Sequence, residues 1–395
     1  MMYFVIGFGI LFCTFYVAQL VFVKIHLDWT NKIINSDNSD ADTGVSVIHP
    51  IKDLDYELEK NLESWLNQDY QGPIQHIFSF QDPNDPAIKV VENLKQKYSD
   101  IDISIIVNPI ASGLNGKTSN MVNGIKNAKY NYLLFGDSDT RVKRDFILKM
   151  IRPLKDSKVG VTTCGQINIG GHDFPTKFFT FIQNNETDFI WAFLCKLGMD
   201  VGITGAAFAM RKEVIEEIGG LERFGTSLLE DLYLGNTLYE MGYKIVLGPF
   251  IECHVDKLGI EKSLNYAKRI AIGIRTHIQF ELPAFVLMLF WYWGIFIVGA
   301  MLQNKILLFA SFVFMTIRTM QGLMMRYIVG DKIYPVDVFM GLFFDIFGTF
   351  YLLYAMKTTP TVTWRGIKYE VEKGGHITSI SVDDSVLSVE EDDDE

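Results

Sequence analysis

The chain has 395 residues, of which 49% are hydrophobic and 13% aromatic, and it carries a formal net charge of −11. That acidic balance argues against nucleic acid as a partner, because binding a phosphate backbone needs concentrated Lys and Arg. The apolar residues crowd into the first 23 positions and the stretch 282–356, while roughly 44–260 reads as a globular region long enough to bury a core.

Residues 2–23 carry no formal charge, enough for a helix to cross about 30 Å of hydrocarbon. A cleaved signal peptide would have a shorter apolar core, a basic start and a small-residue cleavage site, so residues 1–24 are expected to be a retained transmembrane helix. Lys24, His26 and Lys32 follow it, and positive charge flanks the cytosolic face. An integral membrane protein with its globular domain facing the cytosol is therefore expected.

From residue 45 the pattern changes. VSVIHP at 45–50 is a short β-branched run, read as a buried strand. A helix is expected over 54–67, with Leu54, Leu58, Leu62, Trp65 and Leu66 on one side. Strands are expected at 74–80, 103–108 and 131–136, with helices at 86–98 and 117–129 between them. This alternation predicts an α/β fold with a mixed, mostly parallel sheet flanked by helices, and ligands in such sheets bind beyond the C-terminal strand ends.

Polar residues sit where those strands stop. Gln81-Asp82-Pro83-Asn84-Asp85-Pro86 follows the second strand, and Gly136-Asp137-Ser138-Asp139 ends the fourth. Asp137 and Asp139 flank one residue, so in extended backbone their side chains point the same way. Two carboxylates so placed can share Mg²⁺ or Mn²⁺ together with substrate phosphates, although such a triplet also occurs in ordinary turns. Gly202–Arg211 is a small-residue run, suited either to close substrate approach or to a tight strand–helix junction. Glu230 and Asp231 open an apolar helical stretch, as a general base or as favourable N-terminal acids.

Residues 261–281 read as an amphipathic interface helix. Apolar segments at 283–303, 305–329 and 335–356 lie within an expected membrane region, 282–357. Arg318, Arg326, Asp337 and Asp345 within these segments either line an acceptor channel or mark helix ends near the interface. Three C-terminal spans would put both termini in the lumen, against the cytosolic preference of basic Trp364-Arg365-Gly366-Ile367-Lys368. Residues 358–395 are expected to hold this segment and a disordered acidic tail. The four cysteines, Cys13, Cys164, Cys195 and Cys253, form no CxxC pair and fit a reducing compartment. Asn185-Glu186-Thr187 is a glycosylation sequon by pattern, unused on a cytosolic face.

VSVIHPIKDLD, NLESWLNQDY, QDPNDPAIKV, NGKTSNMVNGIKNAKYNYLLFGDSDTRV, TGAAFAMRKEVIEEIGGL, LLEDLYLG and WRGIKY together resemble the ceramide glucosyltransferase family, from about Val45 to Tyr369. The resemblance implies a GT-A nucleotide-sugar-binding domain and transfer of a sugar, glucose from UDP-glucose, to a ceramide-like lipid with inversion. It implies that His49, Pro50 and Lys52 form the first nucleotide loop, and that Asp82 contacts the base or ribose. It sets Lys117 and Asn120 near the diphosphate, makes Asp137 and Asp139 the metal and diphosphate acids, and makes Asp231 the base. The family's Q/R-x-x-R-W pattern is absent from 265–277, where Arg269-Ile270 or Arg275-Thr276 would stand in. Other acceptors, such as a different lipid or a polysaccharide, and a catalytically silent scaffold are the alternatives. Oligomeric state is not legible.

Overall fold

The structure is a computed structural model describing residues 2–35, 43–170, 173–181, 183–184, 203–277, 282–341, 361–372 and 375–382. It divides into two compact units. One comprises Met1–Asp28, Gly171–Leu197 and Lys257–Thr359; the other comprises Trp29–Gly170, Gly198–Asp256 and Pro360–Glu395.

The second unit is built on an eight-stranded sheet. Its strands are β1 (Val45–Pro50), β2 (Ile74–Phe80), β3 (Asp102–Val107), β4 (Tyr132–Gly136), β5 (Thr140–Arg141), β6 (Val159–Ile169), β7 (Ala207–Arg211) and β8 (Lys244–His254). They lie in the order β3-β2-β1-β4-β7-β6-β8-β5. The pairs β1–β2, β1–β4, β2–β3 and β6–β8 are parallel, and β7 runs antiparallel between β4 and β6. The mixed, mostly parallel sheet expected from the alternating pattern is thus observed. All six residues of β1 are buried, as a continuous apolar run covered on both faces requires.

Helices cover both faces. Trp65 of α2 (Leu58–Leu66) and Phe146, Ile147 and Met150 of α5 (Phe146–Ile151) pack with Val45, Val47 and Leu134 on one face. Also there, α2 and α3 (Ala87–Lys97) enclose Phe78 and Phe80. The opposite face carries α4 (Gly116–Lys126), α6 (Lys212–Glu217) and α7 (Glu230–Glu240), which bury Met121, Val214 and Leu234 against Ile48, Phe135 and Phe208. One expectation needs correction: α2 begins at Leu58, and Leu54 is 57% exposed. Glu57 at φ 52 interrupts the helical pattern, and the residues before it form the loop after β1.

Three further strands were not anticipated in the tail: β9 (Thr361–Trp364), β10 (Ile367–Val371) and β11 (Ile377–Val382) form an antiparallel sheet. The acidic block 390–395, the sequon at 185–187, Cys195 and Asp345 lie outside the described residues.

The first unit holds the apolar helices. The helix α1 (Met2–Asn35) continues past residue 24, α8 (Gly259–His277) covers most of the expected interface helix, and α9 (Leu282–Met301) and α10 (Lys305–Val329) follow. Val5–Trp29 and Lys305–Val329 are long and apolar enough to cross a membrane. Asn304 caps α10 by accepting from the Ile306 and Leu307 amides. Arg326, in the last turn of α10, pairs with Asp331 at 2.6 Å and with Asp337 at 3.2 Å, so two of the suspected channel charges bind each other at a helix end. Arg318 donates to Gln321 at 2.5 Å, and Gln321 donates to Gln19 at 3.0 Å.

Candidate active site

The site forms at the C-terminal ends of β1 and β4. There the chain order reverses: β2 lies on one side of β1 and β4 on the other, the arrangement that leaves a crevice in open α/β sheets. Two segments meet in it, the loop 51–57 and the turn Asp137-Ser138-Asp139.

The turn is held at both ends by backbone. The Asp137 amide donates to the Ala206 carbonyl at 2.9 Å, and the His254 amide donates to the Asp139 carbonyl at 2.8 Å. Ser138 donates through Oγ to Asp55, and Asn61 Nδ2 donates to the Ser138 carbonyl at 3.3 Å. Thus both acids project from a turn whose central residue is tied down. Burial raises the Asp139 carboxyl to about 7, with the Asp55 and Asp137 carboxylates adding to the effect. Asp137 is also raised by burial, against the opposing pull of Lys117.

Lys117 lies in the first turn of α4, where the positive end of the helix dipole opposes a cation and the neighbouring carboxylates must offset it. Its Nζ is 2.8 Å from Asp137, donates to the Gly205 carbonyl at 2.8 Å, and is 3.7 Å from Glu230. Burial pulls its pKa down, but Asp137, Glu230 and Asp231 more than offset this and hold it above the ordinary lysine value. Asn115 caps α4 by accepting from the Thr118 amide at 3.2 Å, and its Nδ2 donates to Glu230 at 3.0 Å and to the Ser227 carbonyl at 2.8 Å. Glu230 therefore joins two helix N-termini, α4 and α7.

Asp231 stands beside Glu230 in the first turn of α7 and accepts the Leu232 amide at 2.8 Å. Gly205 explains how it approaches Lys117: a β-carbon there would lie 2.8 Å from Asp231 Oδ2 and 3.1 Å from Lys117 Nζ. The small-residue run is thus needed where the two charged side chains converge, while Arg211 at its end is structural, donating to the Leu154 and Ser157 carbonyls.

Lys117, Asp137 and Asp231 converge, and Asp139 shares the turn of Asp137. Lys52 lies on the adjoining loop and donates to the Arg365 carbonyl at 2.9 Å. His49, Pro50, Asn120 and Asp82 have other surroundings. His49 and Pro50 are the last residues of β1, paired with Phe78 and Ser79, and are not part of a loop. The His49 ring is fully buried, edge-on to Trp65 and stacked on Phe78, beneath the crevice. Asn120 is buried and donates to the Ile51 carbonyl at 3.0 Å, so it tethers the loop from behind. Asp82 is exposed and accepts the Asn84 amide of its own turn at 2.8 Å. Arg269 lies on α8 in the other unit, with its guanidinium 5.6 Å from the Tyr266 ring centre. Arg275 is on the same helix, its side chain outside the described residues.

Sequence reasoning missed Asp55 and Arg365 as site residues. The Arg365 guanidinium donates to both Asp55 oxygens, at 2.8 and 3.1 Å, and to the Lys52 carbonyl. The available signal was that both lie in the family-like stretches VSVIHPIKDLD and WRGIKY, the latter otherwise read for its bearing on topology.

Comparison with known proteins matches residues 11–377 to the family described as glycosyl transferase family 21. Ceramide glucosyltransferase 3 of Caenorhabditis elegans is 28% identical over 253 residues, covering 61% of this chain and 51% of the relative, so the match spans about half of that protein. Ceramide glucosyltransferase 1 of the same organism is 27% identical over 353 residues, covering 85% of this chain and 73% of the relative. Among solved structures, mannosyltransferase PcManGT from Pyrobaculum calidifontis, in complex with GDP-Man and Mn²⁺, is 15% identical with a TM-score of 0.45, covering 87% of this chain and 96% of that one.

Proposed function

Because the chain belongs to glycosyl transferase family 21, we propose that it moves glucose from UDP-glucose to the hydroxyl of a ceramide-like membrane lipid, with inversion at the anomeric carbon. The observation that carries this reading is the convergence of Lys117, Asp137, Glu230 and Asp231 at the β1–β4 crevice.

The residues suit a divalent cation. Asp137 and Asp139 share one turn and Asp55 lies on the adjoining loop, all oxygen donors; burial raises Asp139, with the Asp55 and Asp137 carboxylates adding to it, and hard cations favour such sets. Among the described residues no group of three or more His, Cys, Asp or Glu forms a ready cage, and a cation completed by substrate phosphates is the common arrangement for Mg²⁺. Asp137 and Asp139 would hold Mn²⁺ or Mg²⁺, which when bound supplies Lewis-acid neutralisation of the diphosphate.

The chain's own groups do the rest. Lys117 is a fixed positive charge for the diphosphate, held by Asp137 and the Gly205 carbonyl, so it needs little reorganisation as charge develops on the leaving group. Asp231 accepts the proton of the lipid hydroxyl as its oxygen attacks the anomeric carbon and the bond to UDP breaks. Glu230, engaged by Asn115 and close to Lys117, sets the position of the helix end that bears Asp231. Lys52 and Asp82 lie on loops at the strand ends, in reach of the nucleoside part of the donor in this reading. The membrane helices deliver the acceptor, and the globular unit faces the cytosol.

The test is turnover of purified protein in lipid, with labelled UDP-glucose and UDP-galactose offered separately, ceramide as acceptor, with and without Mn²⁺. Asp231→Asn is expected to lower kcat by about 10²–10⁴ while UDP binding persists. Retained turnover in that variant would remove Asp231 as base, and absence of any glycolipid from the wild type would sink the proposed activity.

A further inference from the structure

The tail strands contribute to a site more than 300 residues earlier in the sequence. The turn joining β9 to β10 consists of Arg365 and Gly366, with φ 50 and 69. A two-residue hairpin with both φ positive normally takes Asn-Gly or Asp-Gly, because a β-carbon is strained there. Here an arginine occupies the strained position, and its surroundings account for that. Its carbonyl accepts from Lys52 Nζ at 2.9 Å, its Nη1 donates to the Lys52 carbonyl, and its Nη2 reaches both oxygens of Asp55 at 2.8 and 3.1 Å. Asp55 in turn accepts from Ser138 Oγ, and Ser138 is the residue between Asp137 and Asp139. A continuous chain, Arg365 to Asp55 to Ser138, therefore runs from the tail hairpin to the middle of the acidic turn.

The same small sheet is fastened at its other end. The Leu228 amide donates to the Gly375 carbonyl at 2.9 Å, and the Ile377 amide donates to the Thr226 carbonyl at 2.8 Å. Ser227 forms a bridge with His376, whose ring lies 5.6 Å from Tyr233 of α7. The tail sheet thus joins the loop after β1, which feeds the acidic turn, to the segment that leads into Glu230 and Asp231.

We propose that Arg365 is a positioning residue of the donor site: acting through Asp55 and Ser138, it fixes the Asp137–Asp139 turn in the geometry that accepts a divalent cation with a nucleoside diphosphate. This rests on the cation and donor reading above. Arginine suits the task because the two arms of its planar fork serve different acceptors at once, Nη2 the Asp55 carboxylate and Nη1 the Lys52 carbonyl, in a fixed geometry that a single ammonium lacks.

The experiment titrates Mn²⁺ in the presence of UDP by electron paramagnetic resonance, on full-length protein in detergent, with no turnover required. Arg365→Ala is expected to raise the Mn²⁺ dissociation constant about tenfold or more, and Arg365→Lys to recover only part of that loss. Asp55→Asn should show a loss similar to Arg365→Ala, and the double variant should be no worse than either single one, because both changes break one chain of contacts. Melting curves check folding; if Arg365→Ala fails to fold, the Arg365→Lys and Asp55→Asn comparison decides. Binding within twofold of wild type in the folded Arg365 variants, or losses that multiply in the double variant, would overturn the proposal. A wild-type protein that binds neither Mn²⁺ nor UDP would overturn the donor reading itself, a result visible before any variant is made.

Discussion

At the scale of single residues, burial decides what a side chain can do. His49 and His76 lie parallel, with ring centres 6.1 Å apart, inside the sheet. Both ring nitrogens of His76 are buried without a hydrogen-bond partner. Burial, with His49 adding to it, pushes the His76 pKa down to about 3, and burial takes His49 down to about 4. A depressed histidine is protonated first in the unfolded chain, so stability is full above about pH 6.5 and falls as pH drops from there toward 3. His76→Phe is expected to raise the melting temperature at pH 5 by more than at pH 8, since it removes both the proton linkage and two unsatisfied polar atoms worth about 1–3 kcal/mol each. Equal melting shifts at the two pH values would show that His76 is not the group responsible. The converse case is Gly205, where any β-carbon meets Asp231 and Lys117. Gly205→Ala should cut kcat at least about tenfold with the fold intact, as small displacements in an aligned site can cost about 10²; unchanged kcat would refute the close approach.

At the scale of elements, the N-terminus of α4 links folding to the site. Asn115 caps the helix and, with its other atoms, holds Glu230 and the Ser227 carbonyl. Asn115→Ala should cost about 2 kcal/mol, the sum of a lost cap and a partner left unsatisfied, together with a fall in kcat. Asn115→Ser keeps a capping oxygen but loses the amide that reaches Glu230. Its stability should recover most of the loss while kcat stays low, measured by denaturation and by turnover on the same preparations. If kcat recovers in step with stability, the Glu230 contact has no part in positioning.

At the scale of the whole molecule, strands of one unit come from chain segments separated by apolar excursions. β6 and β8 pair although 171–197 belongs to the other unit, and the tail hairpin binds the loop 51–57 although 257–359 lies between. Each excursion must therefore return to the side it left, so any membrane crossings within it are even in number. On this argument we expect an even number of crossings between 282 and 356, in keeping with a cytosolic Trp364–Lys368 stretch. A C-terminal epitope and one in the 43–170 region should be digested together, or protected together, when protease is added to sealed vesicles. Opposite protection of the two would contradict the argument.

Much of this was legible in the sequence, because local patterns are set by local chemistry. The alternation of β-branched runs with helical spacing fixed four strands nearly to the residue. A strand end followed by Asp-Ser-Asp located the acidic turn, and a charge-free stretch marked the first helix long and apolar enough to cross a membrane. What the residues at 45–50 could not reveal was depth: His49 has a ligand-like side chain, and only tertiary structure shows its ring buried against Trp65 and Phe78. Nor could spacing show that Arg365 meets Asp55, since contacts 310 residues apart leave no periodic trace. The one-dimensional chain determined the first four strands, the helices among them and the long apolar segments; the three-dimensional packing decided which charges face one another, because burial and long-range partners arise only when distant segments share a crevice.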